Sequence, residues 1–303
     1  QEVFLPSDGM NYRKLRPHQS ATEVLEGGKI IKFAWPFLFP GAYIEDEIIT
    51  KVGAELGMWY LLDEIQRGGK LPFISAIPIM IGRYPELKDN EGRPAYYYAS
   101  RVPYQGGRNG LFTAGMKSED IWRAFSGAVY APRGLRSVHD ELGLTHNQMG
   151  MGNFRAGRDM ITFLADLATL TKLDTTPVPL TVWGETQLNP YLARGSELGK
   201  ILLGVYTMKE GLSPLEFFRV LSKSIQYYLM TYCFPSLHLT PQERKMFGKV
   251  LIDPDDPSLS FALSLSYLEN VGIFSPSRDL AERSEHSMIV INAWQKYIRD
   301  LIT

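Results

Sequence analysis

The apolar residues of this chain recur at helical spacing over most of its length. Within residues 44–66, Ile48, Val52 and Leu56 repeat every fourth position, which places them on one face of a helix. The acids Glu45, Asp46 and Glu47 fall in its first turn, where the helix dipole favours negative charge. The same periodicity predicts further helices over residues 118–130, 154–172 and 197–208.

The carboxy-terminal part carries repeated helix-start signals. Ser213-Pro214-Leu215-Glu216 and Thr240-Pro241-Gln242-Glu243 are capping boxes with proline at the first helical position. Together with Asp256-Pro257 and Ser275-Pro276, they predict helices that start near 214, 241, 257 and 277. The last of these has an apolar stripe over 284–302, so we expect it to be a core helix. The stripe consists of Met288, Ile291, Trp294, Ile298 and Leu301.

A β-prone segment interrupts the helical pattern in the amino-terminal third. Residues 73–81 and 95–102 are rich in β-branched and aromatic residues and flank the turn-forming sequence KDNEG. We predict a hairpin-like insertion over about residues 73–104, with Pro78 restricting its first strand to a sheet edge. Alternation along the second strand places Tyr97 and Arg101 on the face opposite Tyr96 and Tyr98.

Residues 1–43 differ from the rest of the chain because they lack a helical pattern and contain several prolines. Prolines at positions 6, 17, 36 and 40 predict an extended arm with one short strand in KIIKFAW. The aromatic residues of this arm are numerous for a segment that cannot fold compactly, so we expect it to pack on a neighbouring subunit. The predicted fold class is therefore mainly α, an α-rich α+β protein. It has an arm over 1–43 and a single domain over 44–303, which is helical from residue 118 onward.

The composition of the chain tells more about the cellular compartment of the protein than about its function. The chain has 303 residues, 45% of them apolar, and a formal net charge of -1, so it can bury a core and has no global attraction for nucleic acid. Its single cysteine, Cys233, excludes an intrachain disulfide and a cysteine-based zinc site, which fits a reducing compartment. The sequence lacks a signal-peptide pattern and a membrane-spanning apolar run, so we expect no membrane association.

One segment comes close to a phosphate-binding P-loop. Residues 152–159, GNFRAGRD, have the glycine spacing, but Arg158 stands at the lysine position and Asp159 at the Ser/Thr position. The preceding sequence does not predict a strand. We therefore predict a loop leading into a helix near Asn153, and no cofactor.

The histidines give no catalytic or metal motif. His139-Asp140 and His146 lie close in sequence, but no His-x-x-x-His or His-Glu-x-x-His pair is present. A surface loop in which Asp140 acts as a cap is the favoured interpretation. No Gly-x-Ser-x-Gly elbow occurs either, so the sequence predicts neither catalytic nor metal-binding residues.

A basic segment with interleaved tyrosines gives the candidate binding site. Between Arg93 and Arg136 there are seven basic residues against two acids. Charge and flat aromatic faces together suit single-stranded nucleic acid, although a solvated loop paired with acids elsewhere explains the same pattern. The candidate nucleic-acid-binding residues are Arg93, Tyr97, Arg101 and Arg108.

Two classes of function stay open. The arm, the basic segment and the lack of catalytic motifs favour a self-assembling structural protein. This would be a viral coat or nucleocapsid-type subunit, in the virion or cytoplasm, that binds copies of itself through the arm and encloses RNA. On this hypothesis the chain is not an enzyme. The alternative is an α-helical enzyme or adaptor with a small-molecule site built from distant loops. Titratable residues that meet in one pocket would favour an enzyme, whereas large apolar surface patches would favour assembly.

Overall fold

The structure of the protein is a computed structural model. It describes a sheet in the amino-terminal part of the chain and several of the predicted helices. The described residues are 2–4, 22–24, 29–32, 43–67, 73–75, 77–101, 131–148, 153–156, 162–164, 166–182, 184–208, 214–229 and 256–303. Side chains are described for most, but not all, of these positions. The predicted helices over 118–130 and from 241, as well as Cys233, lie outside the described residues.

Five antiparallel strands form the principal sheet. In chain order they are β1 (Glu2–Phe4), β2 (Thr22–Val24), β3 (Lys29–Lys32), β5 (Ile77–Lys88) and β6 (Pro94–Arg101), and they are arranged as β1-β5-β6-β3-β2. The predicted strand pair is confirmed for residues 77–81 in β5 and 95–101 in β6, but residues 73–75 of its first strand belong to another sheet. The short strand in KIIKFAW is confirmed. Three of the five strands come from the predicted arm, so the β part is larger than a hairpin-like insertion.

The expected edge position of Pro78 is wrong. Strand β5 lies between β1 and β6 in the sheet. Pro78 is accommodated because β1 pairs only with Met80 to Gly82, so at Pro78 the described ladder involves β6 alone. The register between β5 and β6 also shifts between Pro78 and Met80, and such an irregularity is a place where a strand tolerates proline.

Six helices are described, and together with the sheet they make the chain an α-rich α+β protein. They are α1 (Glu45–Arg67), α2 (residues 131–140), α3 (Leu192–Met208), α4 (Pro214–Leu229), α5 (Pro257–Asn270) and α6 (Leu280–Ile302). The predictions of α1, α3, α4, α5 and α6 are confirmed, with α3 starting earlier and α6 later than predicted. Asp256 caps α5 by accepting a hydrogen bond from the Leu259 N–H at 2.9 Å, as its cap-then-proline signal indicates. Within the described residues no helix is long and apolar enough to cross a membrane.

The predicted helix over 154–172 is wrong. This region forms β8 (Phe154–Ala156), β9 (Thr162–Leu164), a 3-10 turn (Leu167–Thr169) and β10 (Thr171–Lys172). β8 and β9 join β4 (Phe73–Ser75) in a three-stranded sheet, and β10 pairs with β7 (Leu144–Thr145). A separate antiparallel pair, β11 (Val178–Val182) and β12 (Glu185–Asn189), follows. Pairing with distant strands outweighs the local helical periodicity here.

Helix α1 joins the sheet to the helical part of the chain. At one end, Ile48 and Val52 pack with Tyr96 and Tyr98 of β6. At the other end, Met58 and Leu61 enter the core formed with α2 to α6. Helix α1 therefore packs against the sheet at one end and against the other helices at the other end.

Helix α6 covers α1 at very short range. A Cβ atom added at Gly57 would lie 2.9 Å from the Ile291 Cα, so glycine is required for this close approach. Ile291 and Ile298 are buried, which confirms that α6 belongs to the core.

Candidate functional site

The site is built on the loop that follows α2 and β7. His146 is fully buried, and Asn147 takes a left-handed backbone conformation with φ 61°. The amide of Asn147 donates to the Thr169 carbonyl at 2.8 Å and to the Thr171 hydroxyl at 2.6 Å. These bonds fasten the loop to the segment that contains the 3-10 turn.

Asp166 precedes that turn in an unusual conformation. Its φ of 55° and ψ of 52° are left-handed, which is uncommon for a residue other than glycine and tends to mark functional sites. The Thr169 hydroxyl donates to the His146 carbonyl at 2.6 Å, and so brings the Asp166 segment onto the His146 loop. Asp166 is partly exposed and forms an ion pair with Lys51 of α1, with Nζ 3.1 Å from Oδ1.

Asn153 closes the same loop. Its side-chain amide donates to the Gln148 carbonyl at 2.7 Å. Since the amide nitrogen is used in this bond, the amide oxygen is the atom of Asn153 that can act as a ligand. Gln148 itself is exposed. The described residues thus gather a glutamine, an asparagine and an aspartate around one loop.

A buried polar cluster lies beneath the loop, and it corrects the prediction for the histidines. His139 and Asp140 belong to helix α2, and both are buried rather than on a surface loop. His139 Nε2 lies 2.8 Å from Glu197 Oε2, and His139 Nδ1 lies 2.9 Å from the Tyr228 hydroxyl. The other oxygen of Glu197 accepts the Asn147 backbone N–H at 2.7 Å, which connects the cluster to the loop.

Asp140 occupies the centre of a second buried group. It forms ion pairs with Arg136 and with Arg194, whose Nη2 lies 2.6 Å from Asp140 Oδ1. Arg194 also donates to the Tyr228 hydroxyl at 2.8 Å. The Arg136 guanidinium lies 4.7 Å from the centre of the Phe274 ring, a cation–π distance. The two cations therefore share one carboxylate as well as aromatic neighbours.

Burial sets the protonation of the cluster. Burial lowers the pKa of His139, and the nearby Arg194 lowers it further, although Glu197 acts in the opposite direction. Burial opposes ionisation of Glu197, but hydrogen bonds from His139, Thr145 and Asn147 leave the pKa of Glu197 below its ordinary value. A neutral imidazole that donates from Nε2 to an ionised Glu197 and accepts from Tyr228 at Nδ1 satisfies all three groups.

A buried carboxylate also ties α1 to the sheet. Glu55 is buried, and it accepts hydrogen bonds at 3.0 Å from the Tyr98 hydroxyl and at 3.0 Å from the Ser100 hydroxyl, both on β6. Burial, followed by the charge of Glu55, raises the pKa of Tyr98 well above its ordinary value. Glu55 lies one helical turn after Lys51, so both ends of this turn of α1 are held by polar contacts.

The candidate nucleic-acid residues do not form one described surface. Arg93 is half-exposed, and its guanidinium pairs with Asp89 at 2.6 Å and Glu91 at 3.1 Å. Tyr97 packs against Tyr84 with ring centres 4.8 Å apart. Tyr96 and Tyr98 are buried on the opposite face, as the alternation predicts. The Arg101 side chain and all of Arg108 lie outside the described residues, so what these residues bind stays a prediction.

Sequence reasoning assigns a functional role to none of the residues that the structure brings together here, although it considers His139, Asp140 and His146 as candidates. Gln148, Asn153, Asp166, Lys51 and Glu197 come from four separate segments of the chain. The signal that could have found Asn153 and Asp166 is a spacing. A histidine and an asparagine seven residues apart, His146 and Asn153, are followed by Asp166.

Comparison with known proteins gives solved structures only. No protein-family model and no curated protein matches this chain. The chain is similar to the kinase domain of a rhoptry antigen of Toxoplasma gondii, at 14% identity and a TM-score of 0.42, covering 96% of this chain and 82% of that one. It is also similar to a rhoptry kinase of Toxoplasma gondii, at 13% identity and a TM-score of 0.40, covering 91% and 79%. Because both TM-scores are low, function must be argued from this chain's own residues.

The prediction of a viral coat or nucleocapsid subunit without enzymatic activity is wrong. The two similar structures are kinase domains and not shell proteins. Binding of RNA or of further copies of this chain stays a prediction. His139, Asp140 and Glu197 meet in a buried cluster beneath one loop although they come from two helices. With the shell protein overturned, the alternative, an α-helical enzyme or adaptor with a small-molecule site built from distant loops, is the better interpretation.

Proposed function

We propose that this chain is a protein-kinase-like domain that binds a nucleoside triphosphate at the loop 146–153 and Asp166. Protein kinases carry the catalytic-loop pattern H-R-D-L-x-x-x-N and a later D-F-G aspartate. His146 and Asn153 have the spacing of the first and last residues of that pattern, and Asp166 is the candidate for the later aspartate. The chain departs from the pattern at Asn147, Gln148 and Met149, and at the residues after Asp166, which are Leu167 and Ala168.

The hydrogen bond from Thr169 to the His146 carbonyl, at 2.6 Å, is the observation that carries this proposal. It brings the Asp166 segment onto the loop that holds Asn153. In protein kinases the corresponding aspartate and asparagine hold the metal ions that bridge the nucleotide phosphates. A chance spacing in the sequence would not require the two segments to meet.

The order of the elements around α1 supports the same proposal. Protein kinases pair a lysine of a sheet strand with a glutamate of the following helix. Here β3 has lysine at both ends, Lys29 and Lys32, and the next helix, α1, contributes the buried Glu55. The side chains of the two lysines lie outside the described residues, so this support rests on chain order.

The residues at the site fit a magnesium ion. Mg²⁺ prefers oxygen ligands and is usually held by one or two protein groups together with substrate phosphates and water. The Asp166 carboxylate and the Asn153 amide oxygen provide such ligands. The described residues contain no cluster of three or more His, Cys, Asp or Glu side chains that could hold a metal without a substrate. A bound Mg²⁺ would supply charge neutralisation at the phosphates.

Gln148 limits the chemistry of the site. In protein kinases the third residue of the pattern is an aspartate that accepts the proton of the substrate hydroxyl. A glutamine amide is not a base at neutral pH, so Gln148 can orient a hydroxyl but cannot take its proton. General-base catalysis contributes roughly 10²- to 10⁴-fold, so we expect phosphoryl transfer to be slower by about that factor than with a carboxylate at this position.

Titration calorimetry with ATP, with and without Mg²⁺, tests the binding step. We expect the wild-type protein to bind ATP and Asp166→Asn to bind Mg-ATP at least about tenfold more weakly, a change of about 1.4 kcal/mol. Asp300→Asn is the matched control, because Asp300 is exposed on α6. Failure of the wild-type protein to bind ATP under either condition would refute the proposal.

Restoring the carboxylate tests the chemistry. Gln148→Asp should raise the rate of phosphoryl transfer by roughly 10²- to 10⁴-fold over wild type, with ATP affinity nearly unchanged. Gln148→Asn shortens the side chain equally without adding a charge, and it should show no such gain. If Gln148→Asp binds ATP but transfers phosphate no faster than Gln148→Asn, Gln148 is not at the position of the base.

A further inference from the structure

We propose that Lys51 is a built-in counter-ion of Asp166, and that a divalent cation binds Asp166 only by displacing it. The inference rests on the proposed function, since it concerns the same carboxylate. The observation behind it is the ion pair between Lys51 Nζ and Asp166 Oδ1 at 3.1 Å. This pair joins helix α1 to a segment 115 positions later in the chain.

The surroundings of Lys51 are acidic. Burial raises the pKa of Tyr43, and the charges of Glu55, Asp166 and Glu47 raise it further, so these three carboxylates all lie near Tyr43. The Lys51 ammonium lies 5.8 Å from the centre of the Tyr43 ring. A cation is therefore favoured at this place, and within the described part of the chain Lys51 supplies it.

The Lys51 ammonium and a metal ion cannot both bind the Asp166 carboxylate at short distance. Mg²⁺ binds carboxylate oxygens at about 2.0–2.1 Å, so an ion on Asp166 would lie only a few ångströms from the Lys51 nitrogen. Like charges at such a separation repel by several kcal/mol at the effective dielectric of a protein surface. The Lys51 side chain is partly exposed, with 26% of its surface accessible, so it can turn toward solvent when an ion arrives.

Displacement of Lys51 would leave α1 in place. Glu55, one turn later, stays bound to Tyr98 and Ser100 of β6, and Gly57 lies directly against α6. The expected change is therefore confined to the Lys51 side chain. This distinguishes the proposal from a movement of the whole helix.

Binding of Mn²⁺, measured by electron paramagnetic resonance on the protein saturated with ATP, tests the competition. Lys51→Met keeps the length of the side chain without its charge and should bind Mn²⁺ about tenfold more tightly than wild type. Lys223→Met, on an exposed position of α4, should match wild type. Asp166→Asn should lose the binding in either background.

Each outcome decides the inference. Equal Mn²⁺ affinity of Lys51→Met and wild type overturns it and leaves the proposed metal site intact. Absence of Mn²⁺ binding in all variants overturns both. A second readout is labelling by an amine-reactive reagent, followed by mass spectrometry. Mg²⁺ should increase labelling of Lys51 but not of Lys223, and unchanged labelling of Lys51 upon Mg²⁺ binding would contradict displacement.

Discussion

The Glu197 carboxylate accepts the backbone N–H of Asn147 at 2.7 Å while its second oxygen lies 2.8 Å from His139 Nε2. One buried side chain of α3 therefore holds both the loop of the proposed site and the imidazole of α2. The bond is partly buried, and a partly buried N–H that loses its acceptor is costly, so the conformation of the loop depends on Glu197 remaining an acceptor. Glu197→Ala would remove the acceptor, whereas Glu197→Gln would keep an oxygen for Asn147.

Acidification should destabilise the protein through His139. The pKa of His139 is lowered in the folded state, so the unfolded chain takes up a proton at a higher pH than the folded one does. The resulting loss of stability starts as the pH falls below the ordinary histidine value of about 6.5 and continues down to the folded-state pKa. The pKa of Glu197 is also lowered, so its stabilisation is present above about pH 4.5 and is lost below that.

Urea unfolding at pH 7.5, 6.5 and 5.5 measures this effect. His139→Gln retains a donor for Glu197 but does not titrate, so its free energy of unfolding should fall less steeply with acid. The difference should be up to about 1.4 kcal/mol per pH unit, the value for one proton. Equal slopes for wild type and His139→Gln would show that His139 does not titrate differently on folding.

Asp140→Asn should be among the most destabilising substitutions of a single polar group. Asp140 is the carboxylate that Arg136 and Arg194 share, and all three side chains are buried. Removal of one partner from a buried ion pair typically costs about 3–5 kcal/mol, because the remaining charge is left uncompensated. Asp300→Asn on the exposed face of α6 should change the free energy of unfolding by less than about 0.5 kcal/mol. A small effect of Asp140→Asn in chemical denaturation would contradict the buried triad.

Much of the helical part could be predicted from the sequence, because its signals are local. The cap and proline at Asp256-Pro257 act within one turn, and the structure places the start of α5 there. The apolar stripe of α6 also predicted a core helix, and Ile291 and Ile298 of that stripe are buried in the structure. Segments that depend on distant partners could not be predicted in this way. Strand β9 pairs with β4, about ninety residues earlier, and nothing local in residues 162–164 indicates that pairing.

The residues of the candidate site could not be predicted from the sequence for the same reason, because their contacts are with distant segments. His139 and Asp140 look like an exposed loop when only their neighbours in sequence are considered. Their burial depends on Arg194, Glu197 and Tyr228, which come from α3 and α4. Polar residues become compatible with a core when other polar residues satisfy them, and a single sequence does not show which ones will meet. Lys51 and Asp166 are a further example, since they come from distant elements.

Gly199→Ala should destabilise the contact between α3 and α5. A Cβ atom at Gly199 would lie 2.5 Å from the Ser258 hydroxyl oxygen and 2.6 Å from the Ser258 backbone nitrogen. Although alanine favours helix more than glycine, an overpacked contact with backbone atoms typically costs about 1–3 kcal/mol. Asn292→Ala, exposed on α6, is the control for alanine in a helix and should be neutral or slightly stabilising. Stabilisation by Gly199→Ala would mean that the two helices are not this close.

The final prediction compares two isoleucines of one helix. Ile298 of α6 is fully buried in the cluster that packs α1 against the sheet, whereas Ile289 of the same helix has 58% of its surface exposed. Ile298→Ala should lower the free energy of unfolding by about 2–5 kcal/mol, because it removes buried methyl groups and leaves a cavity. Ile289→Ala makes the same chemical change at an exposed position and should change it by less than about 0.5 kcal/mol. Trp294 is only partly buried beside this cluster, so Trp294→Ala should fall below the roughly 3–5 kcal/mol expected for a fully buried tryptophan. Denaturant unfolding of the three variants measures the order, and equal effects at Ile298 and Ile289 would show that α6 is not packed on α1 through this face.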